Sequence, residues 1–277
     1  MAKSANSITI LGASGFIGSQ LVKKLRDSGT EFLAPERGAE ISGKPLGHVI
    51  YCIGLTADFR SRPFDTVNAH VCELLRVLSD YDFESLVYLS STRLYNPQLA
   101  VANEGDAIQV NPSDPSELYN ISKLMGESLA LSSGKKVRIA RVANVYGGDF
   151  ASDNFLSSII RDAVTKGRVV LRTSSDSEKD YVSIDDVTGL LIKIARSGRQ
   201  AIYNLASGVN VSNHALVEAI SRMTKCEVEF LPNAPLIRFP SSSIDRVREE
   251  FGFSPRKVLD DLEELVNLYG TWAGEQK

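Results

Sequence analysis

The chain has 277 residues, 43% of them hydrophobic and 23% charged, and a formal net charge of −3. This is an ordinary globular composition, long enough to bury a sizeable core in one large domain or two modest ones. Basic and acidic residues are mixed without a nucleic-acid footprint, and no apolar run reaches the roughly 18 residues of a membrane span, so neither nucleic acid nor a membrane is an expected partner.

Met1–Ser7 is short and polar, without the charged-then-apolar pattern of a secretory leader. Cys52, Cys72 and Cys226 are far apart and form no CxxC, which fits a reducing cytoplasm and buried apolar thiols. His48, His70 and His214 have no Cys or acidic neighbour at metal-ligand spacing, so structural or surface roles are expected and no metal.

Nearly continuous apolar runs predict strands at Ile8–Leu11, Glu31–Ala34, His48–Ile53, Leu86–Ser90, Val137–Val142 and Ile202–Leu205. Between them, helical patterns cover Phe16–Ser28, Pro63–Ser79, Pro115–Leu131, Asn154–Lys166 and Asp185–Ala195. Gly29 is placed to stop the first helix, Asp114 to cap the third ahead of Pro115, and Asp185 or Asp186 to cap the fifth. Val187, Leu190, Leu191 and Ile194 form that last helix's apolar face. The alternation predicts an α/β fold with a Rossmann-type doubly wound parallel sheet.

After about Asn144 the pattern loosens into polar or Pro/Ser-rich loops, short strands at Val169–Leu171 and Glu227–Leu231, and helices near Ile244–Phe251 and Val258–Tyr269. This predicts a smaller, mixed C-terminal lobe. Residues 1–143, rejoined by 181–206, are expected to form the dinucleotide-binding domain; 144–180 and 207–277 are expected to form the substrate lobe.

A glycine turn links the first strand to the first helix: Gly12, Ser14, Gly15, Phe16, Ile17 and Gly18 are its candidate cofactor-binding residues. Gly12 permits the turn, Gly15 admits a pyrophosphate and Gly18 lets helix and sheet pack closely. The helix N-terminus then offers free N–H groups and the positive end of its dipole. Glu36, 18 residues past Gly18, is near the spacing of about 20 for an acid that meets the adenosine ribose. A carboxylate there favours NAD, but Arg37 beside it suits a 2′-phosphate, so NAD and NADP both stay open.

Tyr119 and Lys123 stand at i and i+4 in Tyr119-Asn120-Ile121-Ser122-Lys123, on one helix face. A tyrosine ionises near pH ~10, and a neighbouring ammonium favours the phenolate, making it a usable acid/base. Ser90, Ser91 and Thr92 end an apolar strand, where a doubly wound sheet opens its ligand crevice. Ser91 is therefore expected to orient a substrate hydroxyl or carbonyl beside Tyr119.

Taken together, GASGFIG (Gly12–Gly18), SSTRLYN (Ser90–Asn96), YNISK (Tyr119–Lys123), RVANVYG (Arg141–Gly147), KDYVSIDDV (Lys179–Val187), IYNLASG (Ile202–Gly208) and FGFSP (Phe251–Pro255) resemble the extended short-chain dehydrogenase/reductases. Within them, the chain is similar to the NAD-dependent epimerase/dehydratase branch, which acts on nucleotide sugars. The resemblance implies Tyr119 as catalytic acid/base, Lys123 lowering its pKa and holding the nicotinamide ribose, and Ser91 as catalytic partner, with Thr92 behind it. It implies Cys52, Ile53, Gly54, Asn68, Ser90 and Val145 along the cofactor. Asn144, Asn154, Phe155, Lys179 and Arg238 fall on the substrate side, the last two towards its diphosphate. A homodimer pairing Pro63–Ser79 and Pro115–Leu131 is also implied.

Two departures from the family pattern are informative. Only 11 residues separate Glu36 from His48, too few for the usual third strand and its helix, so the adenine side is trimmed. The Asp-Glu pair that follows the catalytic Thr of dehydratases is replaced by Thr92-Arg93, which disfavours water elimination. The resulting expectation is an NAD- or NADP-dependent reductase acting at C4 of a nucleotide-linked 4-keto hexose. A 4-epimerase with retained NAD is the alternative within the family, and a non-catalytic dinucleotide-binding protein the alternative outside it.

Overall fold

The computed structural model describes residues 7–39, 45–56 and 59–275. Ile8–Leu11 forms β1 with all four residues buried, as a strand covered on both faces requires. After the glycine turn, α1 (Phe16–Asp27) buries Leu21 and Leu25, one turn apart, and Gly29, at φ +64°, sits just past its end. β2 (Phe32–Leu33) and β3 (His48–Tyr51) follow. The expected helix from Pro63 is a run of three pieces: α2 (Pro63–Val67), a π turn (Asn68–Cys72) and α3 (Glu73–Asp80). Next come β4 (Ser85–Ser91), β5 (Val101–Ala102), α4 (Leu118–Ser132) and β6 (Val137–Val142). Asp114 does cap: its Oδ1 accepts the Ser116 N–H at 2.8 Å, although the first turn, Pro115–Glu117, is a 3-10 turn ahead of α4.

The second half adds β7 (Asn144–Tyr146), α5 (Phe155–Lys166), β8 (Arg168–Leu171), β9 (Glu178–Ser183), α6 (Ile184–Ser197) and β10 (Ile202–Leu205). Then follow β11 (Asn210–Ser212), α7 (Asn213–Thr224), β12 (Glu227–Phe230), β13 (Ser241–Ser242), α8 (Asp245–Phe251) and α9 (Val258–Glu275). The cap of α6 is neither Asp185 nor Asp186. Ser183 takes that place, its Oγ accepting the Asp186 N–H, and the two aspartates stand in the first turn against the positive dipole end. The strands β7, β9 and β11 and the helix α7 were not anticipated. α7 is short, and its apolar residues Leu216, Val217 and Ile220 gain meaning only against α5 and α9.

Six parallel strands pair in the order β10-β6-β4-β3-β1-β2. The order reverses between β1 and β3, so a ligand crevice opens beyond the C-terminal ends of those two strands. Residues from α1 and α6 pack on one face with Val87 and Leu89, and residues from α3 and α4 pack on the other with Leu86 and Tyr88. The fold is thus the expected α/β Rossmann type. A smaller mixed sheet, β11-β9-β7, and a separate apolar cluster built from α5, α7 and α9 make up the C-terminal part. β2 forms the edge of the large sheet, and no further strand lies beyond it among the described residues, in keeping with the short Glu36–His48 interval.

Candidate active site

The glycine turn meets its steric requirements. Gly12 has φ +86°, and a Cβ there would stand 2.8 Å from the Ile53 nitrogen and 2.9 Å from the Cys52 carbonyl carbon. The C-terminal ends of β1 and β3 approach so closely that only glycine fits. A Cβ on Gly18 would collide with the Gly12 backbone. Gly15 caps α1 without any side-chain hydrogen bond, and the first turn carries no carboxylate. Its N–H groups are left for an anion, the arrangement that binds phosphate. Phe16 reaches across to Gly147, so the turn lies against the segment that contains Val145. At the end of β3, a Cβ on Gly54 would meet the Lys123 Nζ at 3.4 Å and the His70 Nε2 at 3.3 Å. Ser90 Oγ is buried with no hydrogen-bond partner, an orphan that a bound polar group would satisfy. Glycine cradle, uncapped helix and orphan hydroxyl fit a dinucleotide.

Ser91 ends β4 and Tyr119 stands in the first turn of α4. The Ser91 Oγ accepts the Arg93 N–H at 3.2 Å and lies beside Tyr119. Tyr119 is 5% exposed, and burial raises its pKa, while the neighbouring Ser91 hydroxyl and the nearby Arg93 charge pull the other way. Lys123, 4% exposed, donates to the Leu89 carbonyl at 2.8 Å, and burial pulls its pKa down to about 7, with Glu127 and Cys52 opposing that fall. The cation beside the Tyr119 ring is that of Arg93, with its guanidinium carbon 5.6 Å from the ring centre.

His70 joins this group in a buried, structural place beside Tyr119. It is fully buried, and its ring meets Tyr119 edge-on at 5.4 Å. Nε2 accepts the Leu55 N–H, so Nδ1 carries the proton and donates to Ser122 Oγ at 2.8 Å; Ser122 in turn donates to the Tyr119 carbonyl. Burial, with Lys123 alongside, takes the His70 pKa down to about 3, so the ring is neutral. Its place two residues after Asn68 carries no motif. Its partners come from β3 and α4, which only the fold brings together.

Several of the residues expected on the substrate side come near one another. Phe155 opens α5, and the Lys179 ammonium sits 4.7 Å from its ring. Asn144 is exposed and donates to the Asp180 carbonyl, tying β7 to β9 beside Lys179. Arg238, also exposed, pairs through its backbone with Glu178 on β9. Asn154 caps α5 by position only, without a side-chain hydrogen bond. Thr92 begins the 3-10 turn that follows Ser91. Phe59 and Arg60, on the loop after β3, were not foreseen: Phe59 is buried 5.5 Å from the Tyr119 ring, and Arg60 lies over Phe59 at 4.5 Å.

Glu36 and Arg37 lie exposed on the loop after β2, where the Glu36 carbonyl closes a turn with Ala39. Asn68 and Ser14 are exposed, Ile17, Val145 and Cys52 partly buried. Cys72 is exposed rather than buried, because its place in the π turn faces outward; Cys226 is buried as expected. Among the described residues no cluster of His, Cys, Asp and Glu could hold a metal, and no helix is long and apolar enough to cross a membrane.

Residues 8–206 match the family model of the NAD dependent epimerase/dehydratase family, and the chain belongs to that family. It is therefore a nicotinamide-dinucleotide enzyme of the extended short-chain dehydrogenase/reductase type. The chain is 22% identical to a dTDP-4-dehydro-6-deoxy-D-allose reductase of Streptomyces bikiniensis, covering 95% of this chain and 96% of the relative. It is also 22% identical to a UDP-glucose 4-epimerase of Streptococcus mutans, covering 96% of each. Among solved structures, RMD from Pseudomonas aeruginosa complexed with NADPH superposes with a TM-score of 0.81 at 21% identity, covering 96% of this chain and 99% of that one. MoeE5 in complex with UDP-glucose and NAD gives 0.80 at 22%, covering 95% and 98%.

Proposed function

We propose that this protein is an NAD(P)-dependent reductase that acts at C4 of a nucleotide-linked 4-keto hexose, with Tyr119 as its acid. The observation that carries this reading is Tyr119 itself, buried in the first turn of α4 beside the Ser91 hydroxyl at the end of a central strand, with burial favouring the neutral phenol. A protonated tyrosine beside a hydroxyl suits donation of a proton to a carbonyl oxygen. Gly12, Gly15, Gly18 and the free N–H groups of α1 would hold the pyrophosphate of the dinucleotide. Ile53, Gly54, Lys123 and Ser90 would lie along its nicotinamide half. When bound, that group supplies the hydride donor.

The substrate ketone accepts one hydrogen bond from Ser91 and one from Tyr119, which fixes its orientation before the proton moves. Lys123 lies one turn beyond Tyr119, and its amine, at a pKa of about 7, is placed to return a proton towards that end of the site. Lys179 on β9 and Arg238 beside that strand would meet the substrate diphosphate. Thr92, Asn144, Asn154 and Phe155 would shape the sugar pocket. The reductase among the relatives supports this assignment. The Arg93 substitution for an acid after Ser91 leaves water elimination without its acid/base pair. The trimmed adenine side supports a cofactor that exchanges between turnovers.

Mass spectrometry of material released from the denatured, freshly purified protein tests the reading. A reductase leaves little retained dinucleotide, because its cofactor exchanges. Stoichiometric tightly held NAD would instead identify a 4-epimerase.

A further inference from the structure

Arg93 follows Ser91 and Thr92 at the end of β4. Its guanidinium carbon lies 5.3 Å from the centre of the Phe59 ring as well as 5.6 Å from that of Tyr119. Arg60 lies over the same Phe59 ring. Lys179 comes from β9, with its ammonium against Phe155. The aromatic faces hold these cations by cation–π attraction, but none of the three makes an ion pair with a described residue. Glu117 sends its field to Arg93, yet its carboxylate is engaged with the Asn120 amide at 3.1 Å.

Arg93 is coupled to both of the others. Burial and then Arg60 lower the pKa of Arg93, with Tyr119 and Glu117 opposing; burial and then Arg93 lower that of Lys179. Arg93 and Lys179 are partly buried and Arg60 is exposed, and like charges brought together in this way destabilise the free protein. Arrangements that break local consistency in this way belong to ligand sites. The proposed reaction does not need them all. Lys179 suffices as one cation for the diphosphate on C1, and neutral hydroxyls need none. Arg93 is beside Tyr119, hence next to the reacting carbon, and the diphosphate stands across the sugar ring from there. A planar guanidinium fork at that position matches a carboxylate.

We propose that Arg93, backed by Arg60, forms a carboxylate-binding subsite beside Tyr119, so that the substrate is a nucleotide sugar with an acidic group on its hexose, of the hexuronate class. This rests on the nucleotide-sugar reading above and narrows it.

Isothermal titration of the full-length protein, saturated with NAD+, tests it with matched pairs: UDP-glucose and UDP-glucuronate, their dTDP counterparts, and GDP-mannose and GDP-mannuronate. One uronate is expected to bind at least tenfold tighter than its neutral hexose. In Arg93→Gln the ratio should fall towards one, and in Arg93→Lys it should recover in part; thermal melts check that each variant is folded. Equal affinities within the pairs, or a preference that survives in a folded Arg93→Gln, overturn the subsite while leaving the nucleotide-sugar reading in place. Failure of every nucleotide sugar to bind overturns both.

Discussion

Lys123 is a buried lysine whose surroundings oppose its charge. A lysine in the unfolded chain titrates near pH ~10.4, whereas here burial brings the ammonium down to about 7. Between those values the unfolded chain binds more protons than the folded one, so stability must rise with pH across that window. For one proton the slope is about 1.4 kcal/mol per pH unit. Lys123→Met removes it. Urea unfolding of cofactor-free protein at pH 7.5 and 9.5 should show the native chain gaining on the order of 2 kcal/mol relative to the variant. Parallel stability curves would show that the amine is not desolvated as described. The residue roles differ in how far they can be read from the chain. The glycine turn and YNISK are legible because their spacing alone sets a local geometry. His70, Phe59 and Arg60 are not, because each acquires its role from contacts with Tyr119 or with neighbours brought in from distant segments.

The elements are held in place by a buried network that has no local signature. Arg141 on β6 makes a two-pronged ion pair with Glu127 on α4, at 3.0 and 2.7 Å, both side chains about 5% exposed. The same guanidinium donates to Tyr95, whose hydroxyl donates to Asn204 on β10. This anchors α4, and with it Tyr119 and Lys123, to the central sheet. Removing one partner of such a pair leaves an uncompensated buried charge, which costs roughly 3–5 kcal/mol. Glu127→Ala should therefore lose about that much stability in denaturant unfolding; a loss below about 1 kcal/mol, typical of surface pairs, would remove the network from the account. The large parallel strands were legible because they are buried on both faces. The strands β7, β9 and β11 were not, for β7 and β11 have three residues each and β9 carries the polar stretch Glu178-Lys179-Asp180. At α6 the hydroxyl of Ser183, the last residue of β9, takes the cap, and the nearby carboxylates hid that signal.

At the scale of the whole molecule, α2, α3 and α4 carry exposed apolar side chains: Phe64 at 89%, Leu75 at 51%, Met125 at 55% and Leu131 at 44%. Two such helices facing the same helices of a second copy would bury a self-complementary patch across a two-fold axis. We propose a homodimer through this face. Sedimentation should give twice the chain mass of 30.2 kDa, and Leu75→Glu with Met125→Glu should return it to one; a native monomer would exclude the dimer. The two-part organisation, with residues 1–143 and 181–206 for the dinucleotide and the remainder for the substrate, is likewise a proposal; the separate apolar cluster of α5, α7 and α9 supports it, while Ile244, Val247 and Phe253 pack into the large-sheet cluster and tie α8 to the first part. What unites these levels is the proposal that Tyr119 delivers a proton to a substrate ketone. Loss of 340-nm absorbance when NADH or NADPH is mixed with a nucleotide-linked 4-keto sugar measures that chemistry directly. The native enzyme should consume the reduced cofactor, and a folded Tyr119→Phe should be slower by about 10²–10⁴-fold. Undiminished turnover in Tyr119→Phe would contradict the account.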